Sequence, residues 1–277
     1  MRFFKDRFFS TILILTVFAV HGCSGYNKIL KNPNAEKRYA AALKYYASKK
    51  YARSTPLFES LDLPFNGLPQ EDTAKFYAAK GYFLMNDNAS AEIGLEQFTR
   101  MYGRSPFSEE AYYLRAVNLY QMTVRPELDQ SNTMDAITAF RLFRSKYPDS
   151  DFGKDKDYLD DLIDKLEKKS YLSAKLYYQI EDYKSAVIAL RNSLKDYPDS
   201  RYAEELSFLV LKSSYIYAQK SIRRKQAERY ISAIDEYYNF VSEYPNSKYK
   251  TEAETIYHNS LEYVQKRGIN VDDELSK

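Results

Sequence analysis

The chain has 277 residues, 44% of them apolar and 16% aromatic, with 28 Tyr, 16 Phe, no Trp and only 8 Gly. Scarce glycine and rare period-two alternation predict helices and exclude a sheet protein. The formal charge of +3 is no signal for nucleic acid, because Arg2, Lys5 and Arg7 against Asp6 supply +2 of it in a segment read as removed. A single cysteine, Cys23, excludes an intramolecular disulfide, so the hydrophobic core alone must hold the fold.

Residues 1–22 read as a secretory signal. Arg2, Lys5 and Arg7 form its positive start, and Phe8 to Val20 form a 13-residue apolar run. As a helix that run measures roughly 20 Å, too short for about 30 Å of hydrocarbon. It ends Val20-His21-Gly22-Cys23, which resembles the bacterial lipobox although His21 is unusual there. The reading is lipidation of Cys23 by a diacylglyceryl and an N-acyl group, with no other cofactor. The alternative is a free thiol after an ordinary signal peptide. Ser24 follows, and the absence of Asp there favours, by analogy with lipoprotein sorting, the periplasmic face of the outer membrane. The membrane is then met by the lipid anchor only. Residues 23–34 read as a polar tether ending near Pro33.

Beyond the tether the chain repeats. Tyr147-Pro148-Asp149-Ser150, Tyr197-Pro198-Asp199-Ser200 and Tyr244-Pro245-Asn246-Ser247 follow a degenerate Tyr102-Gly103-Arg104-Ser105. Such spacing belongs to helical solenoids. Proline stops the helix before it, and Asp, Asn or Ser caps the one after. Small residues recur on the first helix of each pair (Ala42, Ala79, Ala116, Ala174, Ser214) and on the second (Ser54, Ala91, Ala136, Ala186, Ala233). Large ones close the second helix: Leu61, Phe98, Phe143, Leu194 and Phe240. Small residues let helix axes approach and large ones fill the gap to the next pair.

This pattern resembles the tetratricopeptide repeat. The predicted fold is all-α, a superhelix of about five helix-turn-helix repeats with a C-terminal capping helix. The repeats fall at about 36–62, 71–104, 108–148, 155–198 and 201–245, with the closing helix at 249–266, in one domain over 35–266. Pro56 makes the first repeat the weakest match. Arg125 to Thr133 and Gln219 to Gln226 read as insertions, and 267–277 as a flexible tail.

Catalytic chemistry is not indicated. His21 is removed, leaving His258 alone, and there is no CxxC, HExxH, GxSxG or phosphate-cradling glycine loop. Asp160-Asp161 and Asp272-Asp273 read as solvated charge. By repeat position, Tyr39, Leu43, Tyr46, Phe76, Lys80, Phe83, Tyr113, Val117 and Tyr120 fall on the first-helix face expected to line a concave peptide groove. For these, plain packing is the competing reading. Arg223, Arg224, Lys225 and Arg229 form a basic cluster, read either as a solvated helix surface or as a dock for an acidic partner.

Taken together, the lipobox, five repeats and a closing helix resemble the BamD family, lipoproteins of the outer-membrane β-barrel assembly machinery. So does Asp129-Gln130-Ser131 leading into Asp135-Ala136 and Phe140-x-x-Phe143. The most specific match runs from Lys165-Leu166-Glu167 through Tyr171 and Ala174-x-x-Tyr177-Tyr178 to Leu194-x-x-Tyr197-Pro198. The resemblance implies a non-catalytic scaffold. Its amino-terminal repeats would engage the C-terminal signal of unfolded outer-membrane proteins, with Lys80 meeting the terminal carboxylate. Its carboxy-terminal repeats would dock on a POTRA domain of BamA, with accessory lipoproteins as further partners. The alternative is another periplasmic tetratricopeptide lipoprotein, serving cell-wall synthesis, motility or secretion.

Overall fold

A computed structural model describes residues 25–154 and 156–271. Cys23 and the signal segment lie outside the described residues. Among the described residues there is no strand. A short helical segment over 25–30 precedes eleven helices. They are α1 (Ala35–Ala47), α2 (Tyr51–Glu59), α3 (Glu71–Leu84), α4 (Asn88–Met101), α5 (Ser108–Gln121) and α6 (Ser131–Lys146). Then follow α7 (Tyr158–Gln179), α8 (Tyr183–Asp196), α9 (Ala203–Gln219), α10 (Arg223–Glu243) and α11 (Lys250–Gln265). Within each compact unit consecutive helices pack as hairpins, which is the tetratricopeptide arrangement. The chain forms two compact units. One holds residues up to 124 with 130–162, and the other holds 125–129 with 163–271.

The repeated marker ends helices as predicted, but its polar residues do not cap the next ones: α5, α9 and α11 follow Phe107, Tyr202 and Tyr249 with no side-chain cap. Tyr102, Tyr147, Tyr197 and Tyr244 are the C-cap residues of α4, α6, α8 and α10, each donating its N–H to a carbonyl four residues back. The serine of each marker then accepts from the N–H two residues on: Phe107, Phe152, Tyr202 and Tyr249 donate to Ser105, Ser150, Ser200 and Ser247. These serines close the turns ahead of the next helices with local side-chain-to-backbone bonds. Within hairpins, Asp87 and Asp182 cap α4 and α8 by accepting from Ser90 and Ser185.

All ten of the predicted small positions are buried, and Ala42, Ala91, Ala116, Ala136, Ala186 and Ala233 are fully so. Leu61, Phe98, Phe143 and Phe240 fill the interior as predicted. Leu194 is only half-buried, and Leu190, one turn earlier, takes its place. Close approach goes furthest at Gly81, where an added Cβ would stand 2.1 Å from Oγ1 of Thr55 on α2. Pro56 does not break α2, which continues to Glu59 but is the shortest of the eleven helices. Beyond it, Leu61 and Phe65 carry the core across the connection to α3.

Two boundaries differ from expectation. The segment after Cys23 is not a free tether. Tyr26, Ile29 and Leu30, at helical spacing, pack on the first hairpin, and Arg38 holds the segment by donating to the carbonyl of Asn32. At the other end, Ile269 and Val271 pack with Ala218, Tyr230, Ile234 and Val264, so the chain beyond Arg267 starts as packed structure. In both places a few apolar side chains, inconspicuous in polar surroundings, find an open core edge.

Many tyrosines are held neutral. Hydrogen bonding to Glu59, then burial, pushes Tyr82 up to about 12. Burial first, then a hydrogen bond with Glu243, pushes Tyr244 up to about 12. Burial likewise raises Tyr46 and Tyr102. A folded pKa above the unfolded value near 10 means the native state holds protons that the unfolded chain has lost. Stability from these groups is complete below pH ~10 and is lost as pH rises through the folded values. We expect denaturation midpoints that are flat through neutrality and fall steeply between pH ~10 and ~12, read by urea titration followed by circular dichroism. A midpoint constant across that window would contradict the assignment.

Candidate functional site

One aromatic packing device recurs along the chain. An aromatic residue on the first helix of a pair stacks on the aromatic that immediately precedes the next first helix. Phe76 stacks on Phe107 (4.7 Å, 10°), Tyr171 on Tyr202 (4.3 Å, 14°) and Phe208 on Tyr249 (4.4 Å, 4°). One turn on, a lysine covers the ring and reaches the glutamate at the third position of the next first helix. Lys80 pairs with Glu110 at 2.5 Å, Lys175 with Glu205 at 2.7 Å and Lys212 with Glu252 at 2.7 Å. Each ammonium lies 5.0–5.7 Å from the ring centroid beneath it. Burial alone would lower Lys175, but hydrogen bonds to Glu205 and Tyr171 outweigh it and hold the lysine above its ordinary value. Stack and ion pair together clamp one repeat to the next.

That device reassigns two predicted groove residues. Phe76 is 0% exposed and belongs to the core between α3, α4 and the start of α5. Lys80 is engaged by Glu110 and the Phe76 ring, so its charge is already matched within the fold. Val117 is 8% exposed, with only an edge reaching the surface. On α1, Tyr39 and Tyr46 are half-buried in the aromatic cluster of the first hairpin, against Phe58, Phe65 and Tyr77. Leu43 is exposed beside them.

The remaining candidates do come together. Phe83 from α3 joins Tyr113, Val117 and Tyr120 from α5 around one open pocket that Lys156 and Tyr158 also line. Tyr158 meets Tyr120 edge-on at 4.9 Å and stacks on Phe140 at 4.8 Å. Phe152 stacks on Tyr113 at 5.3 Å. Gly153 makes that loop approach feasible: it has φ +70°, and a Cβ there would meet the Tyr113 ring at 2.8 Å. Burial, then hydrogen bonding to Tyr158, pushes the Tyr113 hydroxyl up to about 12. Lys156 is exposed, with its ammonium 5.6 Å from the Tyr158 ring. Sequence reasoning missed Lys156 and Tyr158 because they stand in the linker and first turn of the following repeat, outside the first-helix face.

The basic cluster of the second unit also divides. Arg229 lies over the Tyr217 ring at 4.0 Å and donates to Ser221, so it braces α9 against α10. Lys225 pairs with Glu228 at 2.8 Å. Arg223 and Arg224 are exposed in the first turn of α10, beside Ile222 at 61% exposure. That turn has no acidic residue and no side-chain cap. Cations at a helix start oppose the helix dipole.

Among the described residues no group of histidine, cysteine or carboxylates could hold a metal. His258 is exposed beside Tyr257. Asp160 and Asp161 stand in the first turn of α7, where negative charge favours the helix start. No helix among the described residues is long and apolar enough to cross a membrane.

Hairpins joined by stacked aromatics and matched ion pairs define an all-α protein of the tetratricopeptide-repeat class. A family model described as "Outer membrane lipoprotein", YfiO, matches residues 31–216 and 164–267, and the chain belongs to that family. Its similar relatives carry the name outer membrane protein assembly factor BamD. One from Neisseria gonorrhoeae is 24% identical over 215 residues, covering 73% of this chain and 80% of the relative. One from Neisseria meningitidis serogroup A is 24% identical over 199 residues, covering 68% and 74%. One from Caulobacter vibrioides is 19% identical over 219 residues, covering 77% and 72%.

Proposed function

We propose that the protein is a non-catalytic assembly factor of the outer membrane, lipidated at Cys23. In this reading it holds unfolded barrel proteins on its first unit and a POTRA-bearing, BamA-like partner on its second. The observation that carries the reading is the pocket of Phe83, Tyr113, Val117 and Tyr120 edged by Lys156. A barrel protein's last strand is short and extended and ends in an aromatic residue with a free carboxylate. The pocket offers rings for the side chain and an exposed ammonium for the carboxylate. The naming of the relatives as assembly factors supports the same direction. On the second unit, Arg223 and Arg224 face solvent at an uncapped helix start, where a partner's carboxylates would relieve the unfavourable charge.

The test is purification of the tagged, lipidated chain from detergent-solubilised membranes, with mass spectrometry of what accompanies it. A POTRA-containing barrel should co-purify in stoichiometric yield, and Arg223→Glu with Arg224→Glu should lower that yield severalfold. Recovery of wall-synthesis, motility or secretion proteins in place of the barrel would move the function to those systems.

A further inference from the structure

Charge is distributed very unevenly along the chain. Residues 25–58 hold eight cations and a single carboxylate, Glu36, for a net +7. Against +3 for the whole chain and +2 for residues 1–22, residues 59–277 are left at −6. The six lysines of this stretch, Lys28, Lys31, Lys37, Lys44, Lys49 and Lys50, are all exposed. Among the described residues none of them makes an ion pair, whereas lysines farther along, such as Lys80, Lys175, Lys212 and Lys220, each hold a carboxylate. Of the two arginines Arg38 is half-buried and Arg53 exposed, and both have partners within the chain. Arg38 donates to the carbonyls of Asn32 and Ser60, and Arg53 lies 5.8 Å from the rings of Tyr26 and Tyr45. Lys49, Lys50 and Arg53 share one surface depression at the turn between α1 and α2.

The same turn is tied to the start of the mature chain. The Tyr26 hydroxyl donates to the carbonyl of Arg53 at 3.0 Å, and its ring meets Tyr45 edge-on at 5.8 Å. Tyr26 stands three residues after Cys23, and three residues span at most about 11 Å. That reach is close to the Debye length of about 8–10 Å at physiological salt. A lipid on Cys23 therefore anchors the chain beside Tyr26, and the Tyr26–Arg53 bond sets the lysine-bearing turn one tyrosine side chain beyond that point.

We propose that the first hairpin is an electrostatic dock for the anionic phospholipid surface in which the chain is anchored, a proposal that rests on the lipidation of Cys23. Six exposed lysines spread over the first helical segment, α1 and the turn after it suit a diffuse layer of phosphates. A protein hot spot would favour arginine forks with aromatic anchors, and here both arginines are already engaged. Each lysine held at an anionic surface strengthens partition about fivefold, which turns a lipid tether into an oriented attachment. The first unit would then be held against the membrane by the hairpin preceding its aromatic pocket.

The test uses the mature chain with Cys23→Ser, so that no acyl chain contributes. Sedimentation with vesicles of phosphatidylethanolamine and phosphatidylglycerol should show at least about tenfold stronger binding than with phosphatidylcholine vesicles, and high salt should remove the difference. Lys44→Glu, Lys49→Glu and Lys50→Glu together should abolish it with unchanged circular dichroism, while Arg223→Glu with Arg224→Glu should not. Equal binding to both vesicles, or anionic binding that survives the triple reversal, overturns the proposal. So does a triple variant whose only loss is a co-purifying protein, which would assign the patch to an acidic partner. No barrel or peptide is present in this assay, so its failure is separate from failure of the assembly reading. The mass of the mature N-terminus reports lipidation independently.

Discussion

Phe76→Ala is expected to destabilise the first compact unit by about 3–5 kcal/mol, the range for a fully buried aromatic truncated in a core that cannot collapse. Phe76 has no exposed surface. It stacks face to face on Phe107 and meets Phe98 at 5.5 Å, so alanine would leave both rings facing a void. The Lys80 ammonium would also lose the ring it covers at 5.5 Å. The effect should be local to the hairpins of α3–α6, because repeat stability is a sum of nearest-neighbour terms. Hydrogen exchange read helix by helix, with urea denaturation for the total, checks this. A loss under about 1 kcal/mol, with α3 to α5 still protected, would show that the ring is not structural.

The second large effect concerns the pocket. For a peptide ending in phenylalanine, Tyr120→Ala and Lys156→Glu are each expected to weaken binding tenfold or more, as for a central aromatic anchor and a charge matched to the ligand. Tyr120 lines the pocket and meets Tyr158 edge-on, and Lys156 is exposed at the rim. The Lys156 effect should shrink at high salt, because the contact is solvent-accessible. Lys80→Met is the contrasting variant. It breaks the pair with Glu110, so it should lower stability modestly and leave affinity unchanged. Fluorescence anisotropy with a labelled peptide separates these outcomes. Weakening by Lys80→Met alone, with Lys156→Glu silent, would return the carboxylate to α3 and reject the pocket.

Both predictions turn on the difference between a residue's place in a repeat and its surroundings. The first-helix face was legible as a row of aromatics, and its position in the repeat suggested a groove. Phe76, Tyr113 and Val117 occupy that row, but the row has two duties. An aromatic there can look outward to a ligand or sideways to the next repeat. Phe76 faces sideways because Phe107 arrives against it, and Phe107 follows a serine turn 31 residues later in the chain. The lysine of each clamp carries a signal that could have been found: an aromatic-x-x-x-Lys on one first helix matched by a Glu at the start of the next. Lys80 and Glu110, and Lys175 and Glu205, are each 30 residues apart.

The sequence by itself determined the helical class, the phase of the repeats, the markers that end and restart helices, and the small-and-large grammar of the hairpin cores. These depend on neighbours within one turn or one hairpin, where backbone sterics and helical periodicity leave little choice. Only the tertiary structure decided which aromatics are spent on repeat stacking and that Lys156 rather than Lys80 borders a pocket. It also decided that Arg229 is a brace, and that Tyr26 ties the segment before α1 to a lysine-rich turn. The physical reason is the same in each case. Whether a ring or a charge is free depends on what a distant segment brings within about 4–6 Å of it, and one-dimensional spacing does not record that distance.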